Sequence, residues 1–138
     1  MGCDIHFHSE VKRNGKWQHY SSNSIPRHYA LFSKMAGVRN SNNNIVPISK
    51  PKGLPNDVTE LTKLCSDDLG VDGHSHSWFN ADEIVQLHEW CDEQDLLYTH
   101  KSNFPYLCGS NFDSFKKYPE DWEGLGIEDV RYVFWFDN

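Results

Sequence analysis

Asp4-Ile5-His6-Phe7-His8-Ser9-Glu10-Val11-Lys12-Arg13-Asn14-Gly15-Lys16-Trp17-Gln18-His19-Tyr20 decides the fold class. Ile5, Phe7, Ser9 and Val11 alternate with Asp4, His6, His8 and Glu10, which is the period of a β-strand. Asn14-Gly15 is a strong type I′ turn signal, because both residues tolerate positive φ, and Lys16–Tyr20 is the return strand. Asp4, His6 and His8 then share one sheet face, and Ile5 and Phe7 face the core.

The far end of the chain supplies a partner for this hairpin. Val130-Arg131-Tyr132-Val133-Phe134-Trp135-Phe136 is apolar on both faces, the pattern of a central strand covered on both sides. Asp137 follows it. Between the two ends, periodicity and punctuation predict helices. One runs from His28 to Ala36, ended by Gly37. A second covers Val58–Leu69, capped by Asp57 and ended by Gly70. A third covers Ala81–Cys91, opened by a capping-box pair of Asn80 and Glu83. The stretch from Arg39 to Pro55 is rich in Asn, Pro and Gly and reads as a surface loop or binding flap. Val71–Phe79 reads as a histidine-rich loop pinned between two helices. Residues 98–126 read as loops with one short helix. The expected fold is α+β: a mainly antiparallel sheet containing the N-terminal hairpin and C-terminal strand, with two or three packed helices, in one domain of residues 1–138.

Composition narrows the function classes. A chain of 138 residues with 38% hydrophobic and 14% aromatic content can build a core and does not read as disordered. No apolar run approaches the roughly 20 residues needed to span a bilayer, and no secretion signal pattern opens the chain, so the expectation is a cytoplasmic protein with no membrane partner. Cys3, Cys65, Cys91 and Cys108 form no CxxC pair, which argues against a zinc knuckle, and they read as thiols. The formal charge of −7 disfavours duplex nucleic acid as a partner. That charge is uneven. Residues 1–64 hold nine Lys/Arg against four Asp/Glu, and residues 65–138 hold four against sixteen. An anionic small molecule, such as a nucleotide, can therefore meet positive charge from the first half. Arg27, Arg39, Lys50 and Lys52 are the candidate phosphate contacts, with Trp78 as a candidate ligand platform. A homo-oligomer is compatible with all of this.

Chemistry concentrates in two segments, Asp4-Ile5-His6-Phe7-His8 and Asp72-Gly73-His74-Ser75-His76. Histidine and aspartate bind transition metals and move protons near neutral pH. If the first and last strands pair, Asp4 and His6 lie beside the second segment, and alternation points His74 and His76 the same way. Asp4, His6, His74 and His76 are then candidate ligands for Zn²⁺, Mn²⁺ or Fe²⁺, with His8, Asp72 and Asp137 supporting them. Such a metal activates water and polarises a phosphoryl group. A metal-free version uses one histidine oriented by an aspartate for acid/base work. A third version is recognition alone. Against all three stands the plainer reading, in which these histidines are polar strand positions and loop caps. There is no P-loop, GxGxxG, GxSxG or HExxH.

Met1-Gly-Cys-Asp-Ile-His6, Ala36-Gly-Val-Arg39, Pro51-Lys-Gly-Leu-Pro55, Asp72-Gly-His-Ser-His-Ser-Trp78 and Phe134-Trp-Phe-Asp-Asn138 together resemble a family of small bacteriophage and bacterial proteins. The resemblance spans nearly the whole chain and implies a phage or prophage origin. It supplies no catalytic residue. By analogy with small phage proteins that bind or cleave nucleotide immune signals, the two-segment His/Asp set reads as a phosphodiesterase-like, metal-assisted hydrolase of such a signal, the positive first half and long Pro/Gly loop as a binder that sequesters one, and the acidic, aromatic-rich surface as an inhibitor of a host protein. Each would act in the host cytoplasm.

Overall fold

The computed structural model describes residues 2–41, 44–94 and 124–138. Its strands are β1 (Asp4–Arg13), β2 (Lys16–Asn23), β3 (Gly73–Phe79) and β4 (Asp129–Asp137). Its helices are α1 (Tyr29–Ala36), α2 (Glu60–Leu69) and α3 (Ala81–Glu93), with a 3-10 turn at Gly70–Asp72. The strands form one antiparallel sheet in the order β2-β1-β4-β3. The α+β expectation holds, with the first and last strands paired at the centre.

The hairpin forms where the sequence marks it. Asn14 and Gly15 take φ of 52° and 73°, as a type I′ turn requires. β4 is central and buried along nearly its whole length, which its two apolar faces demand. Ile5 pairs with Phe136 and Phe7 with Phe134, so one face of the sheet carries Ile5, Phe7, Tyr132, Phe134 and Phe136. Leu31, Phe32 and Met35 of α1 and Ile84 and Leu87 of α3 close over it. The rings meet edge to face: Phe7 on Tyr132 at 4.6 Å, Phe79 on Phe134 at 4.9 Å, and Phe32 on Phe136 at 5.2 Å. Each such ring stabilises the fold by about 1.5–3 kcal/mol through burial.

Local signals set the helix ends. His28 Nδ1 accepts from the Leu31 amide, and Gly37 ends α1 at φ 73°. Asn80 and Glu83 form the expected capping box on α3. The cap of α2 is not Asp57. Thr59 takes that position, and α2 starts at Glu60. Asp57 is drawn instead to Arg131, whose Nη1 donates to its carboxylate at 2.6 Å.

The second face of the sheet sets Glu10 and Arg131 beside buried Val133 and Trp135, and α2 lies against it. Glu10, fully buried, pairs with Arg131, 3% exposed, at 2.6 Å. The other Glu10 oxygen accepts from the Thr59 amide at 3.0 Å and from Thr62 Oγ1 at 2.9 Å. α2 buries only Thr62 and Ser66, so polar contacts rather than apolar packing seat it.

Two further expectations change. Most of the segment read as a histidine loop is the edge strand β3, paired to β4. The Arg39–Pro55 stretch is no open flap where it is described. Ile48 N donates to Lys34 O of α1, and Lys52 N donates to Ser77 Oγ and Gly53 N to His76 O, so it is stitched first to α1 and then to β3. The Gly53 bond covers the His76 carbonyl, which an edge strand would otherwise leave open. The expectation for residues 98–126 falls almost entirely outside the described residues, and Cys108 falls outside them. Among the described residues no helix is long and apolar enough to cross a membrane.

Candidate functional site

The site lies where β1 begins and β4 ends. Asp137 is the register partner of Asp4 on one side and of Gly73 on the other, so both histidine segments meet at it. His6 Nε2 contacts the Asp137 carboxylate directly, and both side chains remain partly open to solvent. A carboxylate on Nε2 fixes the ring orientation and leaves Nδ1 as the atom that exchanges a proton.

Trp135, opposite His6 and fully buried, organises the histidines. Three imidazoles lie nearly parallel to its indole: His8 at 5.1 Å and 15°, His76 at 5.7 Å and 21°, and His6 at 5.9 Å and 10°. They come from strands on both sides of β4, so one indole spaces both segments. Its Nε1 is buried without a hydrogen-bond partner among the described residues.

His8 is the most buried of the three. Its Nδ1 lies 2.8 Å from Ser22 Oγ and 3.1 Å from His19 Nε2. Burial, reinforced by His19, pushes its pKa down to about 4, so it is neutral at pH 7. Burial also lowers His19, and burial with nearby His74 lowers His76. His6, His8, Ser22 and Cys65 line an open cleft of about 470 Å³ between the sheet and α2.

The four side chains expected to hold a metal do not converge. Asp4 is held by Arg27, whose Nη2 and Nε reach its carboxylate at 2.9 and 3.0 Å. His6 is held by Asp137. His74 and His76 do not point the same way, because the ladder is irregular between His74 and Ser77 and Ser75 takes φ 56°. That extra residue sets His74 across from Phe136 and turns His76 onto Trp135. His74 Nε2 instead meets Asn138 Oδ1, and its Nδ1 lies 3.0 Å from Ser75 Oγ. Among the described residues no group of three His, Cys, Asp or Glu is placed to hold a metal ion. The residues therefore do not fit the expected four-ligand centre.

The other predicted residues divide between the two ends of the sheet. Burial raises the Cys3 thiol pKa and the charge of nearby Arg39 opposes that rise, and the Arg39 guanidinium lies 5.3 Å from the centre of the Tyr29 ring. Asp72 is exposed in the 3-10 turn, and Lys50 is exposed. Lys52 sits 4.2 Å over the Trp78 ring and pairs with Glu83 in a separate cleft at the opposite end. Reading the sequence missed His19, Ser22 and Trp135. Alternation along β4 puts Trp135 on the His6 face. The β2 residues are displaced by a register shift between Ser9 and Glu10 that no residue type announces. No family model, curated protein or solved structure matches the chain.

Proposed function

We propose that the protein is a hydrolase for a phosphate-containing small molecule, working by acid/base chemistry at His6. The observation that carries this reading is the direct contact of His6 Nε2 with Asp137 at the open end of the sheet. His6 Nδ1 takes a proton from water as its oxygen adds to phosphorus, and returns a proton to the departing oxygen. A phosphodiester thereby gives a monoester and an alcohol, with no net change at the enzyme. Asp137 orients the ring and stabilises the imidazolium. Arg27, aligned by Asp4, and Arg39, beside Cys3, are the cations available for the phosphoryl oxygens. A nucleotide immune signal as substrate, and a phage setting, rest on the motif resemblance alone.

The test is hydrolysis of bis(p-nitrophenyl) phosphate and of a panel of linear and cyclic nucleotides. His6→Gln should lower kcat at least about 100-fold, the usual scale for losing a general acid or base. Asp137→Asn should lower it while leaving KM nearly unchanged. Full activity in both variants would sink the reading.

The second reading is a non-catalytic binder that sequesters the nucleotide. The observation that favours it is Trp78, a partly exposed indole that lines a cleft far from His6 and offers a stacking surface for the nucleobase. Denaturing the protein after incubation with a nucleotide separates the two: the binder releases it intact and the hydrolase releases products.

A further inference from the structure

A second cleft, of about 610 Å³, opens at the end of the sheet away from Asp137. Trp17 of β2 and Trp78 of β3 line it, with Asp57, Asp129, Lys52 and Arg131. Its volume lies in the range of small-molecule sites. A cation lies against each indole: Arg131 Cζ is 4.0 Å from the Trp17 ring centre, and Lys52 Nζ is 4.2 Å from that of Trp78.

Neither cation is free to draw an anion. Arg131 is clamped between Glu10 and Asp57, and Lys52 is paired with Glu83. With Glu10 and Glu83 counted beside Asp57 and Asp129, two cations face four carboxylates, so the cleft disfavours an anion. The site therefore suits a neutral ligand. A cation against one face of an indole pulls π density toward itself, which leaves the other face better matched to an electron-rich ring than to the C–H face of a sugar. The carboxylates of Asp57 and Asp129 are acceptors for N–H groups on the rim of such a ring.

We propose that this cleft binds a purine, as free base or nucleoside, stacked on the indole walls with its N–H groups donating to Asp57 or Asp129. The site is separate from His6 and Asp137, so the inference stands whether or not the chain hydrolyses phosphate esters.

Isothermal titration of the full chain with adenosine, guanosine, AMP and cellobiose tests it. One-to-one binding of a purine nucleoside is expected, with AMP no tighter than adenosine and cellobiose silent. Trp17→Ala and Trp78→Ala should each weaken binding about tenfold or more, the scale of one lost base–aromatic stack. Trp17→Phe and Trp78→Phe keep a ring and should retain most of the affinity. They also serve as the comparison if an alanine variant does not fold. His6→Gln should bind normally. No binding of either nucleoside, a preference for cellobiose, or AMP binding more than 100-fold tighter than adenosine would each overturn the proposal.

Discussion

His74 and His76, two positions apart in β3, leave the strand on opposite faces, because the residue between them takes φ 56° and breaks the alternation. His76 thereby stacks on Trp135, and His74 sits across from Phe136. The backbone at Ser75 is what separates them. A β-branched side chain is strained at positive φ, so Ser75→Val should destabilise the fold by about 1–3 kcal/mol. Ser75→Gly should be tolerated, since glycine adopts this region freely. Urea unfolding of the two variants measures the difference; equal midpoints would mean the strand does not turn at Ser75 in solution.

How much was legible follows from where each signal resides. Asn14-Gly15, the alternation of β1 and the all-apolar β4 are local patterns, and they delivered three strands of the sheet but not β3, which brings the second histidine segment to Asp137. Asn80 and Glu83 are likewise local. The failures are competitions decided at a distance. Asp57 has the chemistry of a helix cap, but a guanidinium 74 residues away in sequence takes its carboxylate and leaves Thr59 in the cap position. The bulge at Ser75 reverses one histidine through a single dihedral, at a residue type that does not advertise positive φ. A Gly or Asn there would have been a warning.

The Glu10–Arg131 pair should be the most sensitive polar contact in the protein. Both groups are out of solvent, and Glu10 also anchors Thr59 and Thr62. Arg131→Met should cost about 3–5 kcal/mol, because it strands a buried carboxylate. Replacing Glu10 and Arg131 together with apolar residues should recover part of that loss. Asp57→Ala, at the exposed end of the same network, should cost no more than about 1 kcal/mol. Chemical denaturation of the four proteins orders them; an Arg131→Met midpoint equal to that of Asp57→Ala would contradict the buried pair.

Acid should unfold the protein in a window set by its histidines. The folded-state pKa of His8 is about 4, below its ordinary 6.5, and His19 and His76 are lowered too. The unfolded chain therefore binds more protons than the folded one between those values. Stability is fully present above about pH 6.5 and falls as pH drops toward 4, by up to about 3 kcal/mol for His8. His8→Gln should flatten this part of the curve. The measurement is the free energy of unfolding at pH 7 and pH 4.5 for both proteins, and an unchanged slope in His8→Gln would assign the acid sensitivity elsewhere.

His74 and His76 should also behave independently in function. Ligands of one metal centre fail together, since removing any one opens the coordination sphere. Here Trp135 separates the two in role: His76 touches it and His74 does not. His76→Ala should therefore change the Trp135 environment and the hydrolysis assigned to His6, whereas His74→Ala should leave kcat within about threefold. Zinc, manganese and iron content, measured on the purified protein and on both variants, provides the second readout. Stoichiometric metal lost equally from His74→Ala and His76→Ala would restore the four-ligand centre, and the His6–Asp137 contact would then be its resting arrangement. Activity that follows His6, Asp137 and His76 but ignores His74 would instead fix the working unit as the carboxylate–imidazole pair and the indole that spaces it.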